Sequence, residues 1–213
     1  MDPASMLFLA PLYNYLASQY ATRINHFALI KLALQGLDKT IFYFLLFALV
    51  RVIWLLAVRK RRGLWSEFGL WLFAFYFLLV LMLTTFRSSY FPWELNFHWT
   101  RPLSNINLVF MKNTWKLVYA QSKVDFYYNS MGNILAFMPF GALLPNLLQV
   151  KRCFGRVFFL GVLSSVTIEI LQFLLMTGVS DIDDVFFNAC GVLLGYGLYF
   201  LLGQICVKNP NKD

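Results

Sequence analysis

The chain has 213 residues, of which 60% are hydrophobic, 19% aromatic and 13% charged, with a formal net charge of +8. A soluble domain carries roughly 25% charged residues, and half that share excludes an ordinary globular protein. The length fits one helical bundle with one sizeable loop rather than several domains, and the basic residues lie beside apolar blocks, which reads as membrane topology and head-group contact rather than nucleic-acid binding.

Residues 7–35 are apolar but interrupted by Asn14, Gln19, Arg23, Asn25, His26 and Lys31. They lack an unbroken apolar run of about 20 residues, so 1–36 is predicted to be an interfacial segment of one or two amphipathic helices. No basic group stands ahead of the apolar stretch in residues 1–5, so no signal peptide is expected and the spans supply the membrane address. The first predicted span is 37–58, in which Arg51 lies within snorkelling reach of the cationic end. A dense basic turn, 59–62, leads to a second span at 68–86, rich in Phe, Leu and Trp.

A polar and aromatic loop, 87–128, follows. Within it, 106–119 mixes Leu108, Val109, Phe110 and Trp115 with Lys112 and Lys116, a composition suited to the membrane surface. The third span, 129–150, contains Pro139, which removes a backbone hydrogen bond and predicts a kink. Lys151, Arg152 and Arg156 form another basic turn before the fourth span, 157–177. A tight loop, 178–184, precedes the fifth span, 185–207, and the tail carries Lys208 and Lys212. The fold class expected is therefore all-α integral membrane, with five transmembrane helices spanning residues 37–213. Cys153, Cys190 and Cys206 are far apart, without CxxC or Cys/His spacing, and predict neither a disulfide nor a zinc site. Lys and Arg of short loops stay cytoplasmic, which places both basic turns and the C-terminus inside and the 87–128 loop outside.

Polar groups within spans are costly, at about 2.5–3.5 kcal/mol for Asp, Lys or Arg at a helix centre, and so call for a reason. Glu169 and Gln172 share one face of the fourth span; Asp181, Asp184 and Asn188 share one face of the fifth; Asn129 and Asn133 share one of the third. At the helical rise, Glu169 lies roughly 12 Å from the outer end, Gln172 roughly 7 Å, and Asn133 and Asn188 roughly 5 Å. Facing one another, they would form an outward polar pocket. The alternative uses are structural: Asp181 or Ser180 as a helix cap, and Asn133 and Asn188 as interhelical hydrogen-bond partners. Glu169 needs a partner or a raised pKa in either case. Asp181, Asp183 and Asp184 together have the composition for a hard divalent cation, without EF-hand spacing; no resident cofactor is expected. His98, near Arg87 and Arg101, is an acid/base candidate or an interfacial residue. Gly191 and Gly195 form a G-x-x-x-G, read as close helix contact within the bundle or in a homodimer.

The run Asn133-Ile134-Leu135-Ala136-Phe137-Met138-Pro139-Phe140-Gly141, then Glu169-Ile170-Leu171-Gln172, Asp181-Ile182-Asp183-Asp184, and Asn188-Ala189-Cys190-Gly191 with Gly195, resembles the VanZ-like family in order and spacing. Arg101-Pro102 and Asn107-Leu108 resemble its outer-loop pattern, and the likeness covers roughly 101–199. Two departures stand out. Many members carry an arginine shortly before the aspartates, where this chain has Thr177-Gly178-Val179-Ser180, and a proline after the Asn-Leu pair, where it has Val109-Phe110. Arg87 and Arg101 are the candidates to replace that arginine.

The resemblance implies a bacterial cytoplasmic-membrane protein whose namesake is linked to resistance to teicoplanin, a lipid-bearing glycopeptide. It carries over Asn133, Glu169, Gln172, Asp181, Asp184 and Asn188 as ligand-binding candidates. Two functions compete. One is a binding protein for a membrane lipid, a lipid-linked cell-wall precursor or teicoplanin, with Arg87 and Arg101 at the head group. The other is an intramembrane enzyme, with Glu169 as general acid/base and Asp181 and Asp184 holding a cation or a substrate hydroxyl. Transport ranks last, because five spans without evident internal repeats make a poor transporter.

Overall fold

A computed structural model describes residues 6–58, 63–111, 115, 123–148 and 154–207. The basic turns at 59–62 and 151–152, Cys153, Lys112, Lys116 and the tail from Lys208 lie outside these residues. Among the described residues, six α-helices run in chain order: α1 (Ala10–Tyr20), α2 (Phe27–Val58), α3 (Leu64–Thr84), α4 (Lys123–Leu148), α5 (Phe154–Leu175) and α6 (Ile182–Val207). Five of them, α2 to α6, are long and apolar enough to cross a membrane. The protein is an all-α multi-pass membrane protein.

α2 is the longest helix and differs most from expectation. It begins at Phe27 rather than near Leu37, so the boundary drawn at Gly36 falls inside a continuous helix. Lys31 and Gln35 break the apolar run, but neither breaks a helix, and no proline intervenes. Its 32 residues measure about 48 Å at the α-helical rise, against a hydrocarbon core of about 30 Å. Gly36 allows the close approach to α3, because a Cβ there would collide with the Leu83 side chain. Arg51 is ion-paired. Its guanidinium pairs bidentately with Glu67 in the first turn of α3, at 2.7 and 2.6 Å, and lies over the Trp54 ring.

Asp38 and Lys39 open the apolar stretch of α2 and are nearly inaccessible, at 0% and 3% exposure. Two oppositely charged neighbours so placed require partners on both sides. Asp38 accepts N–H bonds from Leu7, Phe8 and Leu9 at 2.7–2.9 Å and a bond from the Tyr90 hydroxyl at 2.8 Å. These amides lead into α1, whose own N-cap, Leu9, has no side-chain cap; a carboxylate from the next helix does that work. Burial, then the hydrogen bond to Asp38, holds the Tyr90 phenol far above its ordinary pKa, so it stays a donor. Lys39 Nζ donates to the carbonyls of Phe86, Arg87 and Ser89 at 2.9, 3.1 and 2.9 Å, fixing the chain just beyond α3.

The core joins Val80, Phe137, Phe140, Leu144, Val157, Ile168 and Val192, with Phe73 and Phe77 edge-on to Phe140. α4 and α6 pack most closely. A Cβ at Gly191 would strike the carbonyl oxygen of Ile134, one at Gly195 that of Met138, and one at Gly141 that of Val192. The G-x-x-x-G is thus used within the bundle, opposite a third glycine on α4. Pro139 and Pro145 both lie inside α4. Proline disturbs the preceding turn, and there the Tyr76 hydroxyl donates to the Ala136 carbonyl. Leu45, Leu49, Val50, Ile53 and Leu56 of α2 are exposed and suit a lipid surface.

Replacing Gly195 by Leu is expected to cost about 1–3 kcal/mol through overpacking, read as a lower thermal midpoint in detergent. Gly197→Leu, where a Cβ meets nothing within 4 Å, should melt as the parent does. Asp38→Ala leaves three amides and a phenol without their acceptor, at about 3 kcal/mol in total. Hydrogen exchange at residues 7–9 should accelerate while the α4–α6 amides keep their protection.

Candidate functional site

The polar groups of α4, α5 and α6 meet at the end of the bundle from which the 87–111 loop departs. α5 stops at Leu175, where Met176 adopts φ 53° and the Thr177 N–H returns to the Gln172 carbonyl at 3.1 Å. The reversal brings Asp181 back over α5, and its N–H donates to Glu169 Oε2 at 3.0 Å. Asp181 also caps α6, accepting the Asp183 N–H at 3.0 Å. The structural use foreseen for Asp181 is therefore present, and Glu169 is attached to the same turn.

One loop residue binds the arrangement together. Asn107 pairs with Asp181 as a parallel bridge, its N–H donating to the Ser180 carbonyl at 2.9 Å and its carbonyl accepting the Ile182 N–H at 3.0 Å. Its side-chain amide donates to Asp181 Oδ1 at 2.9 Å. The Met111 N–H, at φ 62°, donates to Asp183 Oδ1 at 2.6 Å. Asn133 Nδ2 donates to Asp184 Oδ1 at 2.6 Å, joining α4 to α6. Asn188 Nδ2 donates to Ser165 Oγ at 2.8 Å, joining α6 to α5, while Asn188 Oδ1 is buried without a hydrogen-bond partner. The three polar faces do turn toward one another.

Not every sequence candidate joins them. Arg101 Nη1 donates to the Phe173 carbonyl at 2.7 Å and the guanidinium lies over the Phe173 ring, so it closes the last turn of α5. The Arg87 side chain is exposed, and its carbonyl is held by Lys39. Gln172 lies against the turn at Gly178, where a Cβ would come within 2.9 Å of its Oε1. The three aspartates accept from different donors, and among the described residues no group of three His, Cys, Asp or Glu side chains is arranged to hold a metal ion. Glu169 and Asp183 are 6% and 3% exposed, so the centre is a buried, hydrogen-bonded carboxylate cluster. Chemically it can accept N–H or O–H donors, or hold a proton among its oxygens.

Open space lies elsewhere, beside the loop that follows α3. A chamber of about 510 Å³ is lined by Lys39, Ser88, Glu94, Asn96, His98 and Leu175, among others. His98 belongs here, with its N–H on the Leu174 carbonyl at 2.8 Å. Sequence reasoning passed over Asp38, Lys39 and Ser165, and held Asn107 only as part of the outer-loop resemblance, with no role at the site. For the first two a signal existed: adjacent opposite charges at the head of the apolar run that begins at Ile41. Ser165 has ordinary surroundings in sequence and is distinguished only by its partner, Asn188.

Comparison with known proteins supports this part of the chain. The family model described as VanZ/LLP1 matches residues 73–203. Among curated proteins, Protein VanZ of Enterococcus faecium is 41% identical over 69 residues, which are 32% of this chain and 42% of that relative. The match thus spans less than half of the relative's length. No solved structure matches. With the second half of α3, all of α4 and α5, most of α6 and the carboxylate cluster inside a match that takes in more than half of its residues, the chain belongs to the VanZ/LLP1 family.

Proposed function

We propose that this chain is a bacterial cell-envelope protein that contributes to resistance to teicoplanin-type glycopeptides by binding a lipid, a lipid-linked cell-wall precursor or the antibiotic itself. The binding end is that of the 87–111 loop. On this reading it faces outward, with the C-terminus cytoplasmic. The observation that supports it most is the convergence of Glu169, Asp181, Asp183 and Asp184 at one end of three spans, tied to a loop by Asn107 and Met111. Asp181 and Asp184, the half-buried members of the cluster, present fixed acceptors to the amide and hydroxyl donors of a peptide or sugar.

The test is teicoplanin susceptibility of a sensitive Gram-positive host carrying the chain, with envelope lipids and precursors compared by mass spectrometry. Glu169→Gln and Asp184→Asn, at expression matched to wild type, are expected to return susceptibility to the vector level with unchanged lipid and precursor profiles. A species that appears with wild type and vanishes with Glu169→Gln would replace binding by intramembrane chemistry. Full resistance in both variants would remove the cluster from the function.

A further inference from the structure

The chamber described above shares a wall with a second cavity. The second, about 250 Å³, is walled by Tyr43, Leu78, Leu81, Met82 and Leu95, with Phe86 and Phe91. Ser89 and Tyr90 line both cavities. The two differ in character and in depth. The smaller is almost wholly apolar and runs down between α2 and α3: Leu78 lies about 9 Å below the end of α3, and Tyr43 about 6 Å below Lys39, at the helical rise. The larger lies at the level of the loop, and its volume is within the range of about 300–1,000 Å³ usual for small-molecule sites. An apolar slot at acyl-chain depth under a polar chamber is the shape of an amphiphile standing along the membrane normal.

The chamber's chemistry narrows the head group. Lys39 is the one cation lining it among the described residues, and an ammonium has three N–H donors. All three are taken by the carbonyls of Phe86, Arg87 and Ser89. A phosphate would therefore meet no free charged donor. Glu94 Oε2 accepts the N–H groups of Tyr90 and Phe91 at 2.7 and 3.2 Å, so this carboxylate is engaged too. The Ser89 hydroxyl donates to the Glu94 carbonyl at 3.5 Å; the Ser88 hydroxyl, the Asn96 amide and the His98 imidazole remain, a set of mixed donors and acceptors that matches sugar hydroxyls.

We propose that these adjoining cavities form a glycolipid site, with an acyl chain in the slot between α2 and α3 and an uncharged, hydroxyl-rich head group in the chamber. It is separate from the carboxylate cluster. It also uses Lys39 and Tyr43, which precede the family match.

The test reconstitutes the full chain in phosphatidylcholine nanodiscs with photoreactive lipids. Two probes carry the same diazirine-bearing acyl chains, one under a glucosyl head and one under phosphoglycerol, and labelled peptides are identified by mass spectrometry. The glucosyl probe should label peptides within residues 78–95 and be displaced by unlabelled glucosyl diacylglycerol. Leu81→Trp, which fills the slot, and Asn96→Leu, which removes an exposed chamber amide, should each reduce that labelling about tenfold. Glu169→Gln should label as wild type, so this site and the function proposed for the cluster stand or fall separately. Thermal midpoints are measured alongside; if Leu81→Trp melts early, the Asn96→Leu arm decides. Equal labelling by the phosphoglycerol probe overturns the proposal, as does labelling insensitive to both variants.

Discussion

An ammonium group carries three protons and a carboxylate two oxygens, and the Asp38–Lys39 pair places one of each side by side on a membrane helix. Neither can be left unpaired in apolar surroundings, where an isolated charge costs far more than a hydrogen bond returns. Each is satisfied by main chain: Asp38 collects the amides that lead into α1, and Lys39 collects the carbonyls that leave α3. The N-terminal segment, the first span and the chain beyond the second are thereby held at one level. The loop wall, the two cavities and the Tyr90 phenol between them all depend on that attachment.

The same chemistry recurs on the other side of the bundle. Glu169 takes the amide of Asp181, Asp183 that of Met111, and Arg101 supplies a proton to the Phe173 carbonyl. These bonds fasten ends and loops. Cohesion between the spans comes from elsewhere, chiefly the glycine contacts of α4 with α6 and the phenylalanines that fill the core. In lipid there is no general hydrophobic drive between helices, so close backbone approach and a few polar contacts such as Asn133–Asp184 and Asn188–Ser165 set their arrangement.

How much of this could be read from the residues followed from how local each signal is. All five spans were legible, because a run of about 20 apolar residues is a property of the chain itself. The polar faces of the last three spans were legible as well, since spacings of three and four fix a helical face. The start of α2 was not: Lys31 and Gln35 lower its apolarity without ending a helix, and only packing against α3 at Gly36 shows that it continues. Arg51 was read as reaching for water because its partner, Glu67, lies beyond a turn. Arg101 looked like a counter-ion for the aspartates, yet its guanidinium is engaged by Phe173. Such pairings are decided by long-range geometry, which no window of sequence contains.

The bridge between Asn107 and Asp181 carries an implication for biogenesis. Its two sides lie 74 residues apart, and α4 and α5 are made in between. During synthesis, which proceeds from the N-terminus, the segment around Asn107 emerges well before the main-chain groups that will receive it. It can dock only once the last helical hairpin has formed and its connecting turn lies on the same side. The carboxylate cluster is therefore a late product of assembly, whereas the attachment of Asp38 to residues 7–9 can form as soon as the first span is in place. A nascent chain stalled before α6 would hold the Asp38 attachment and lack the carboxylate cluster.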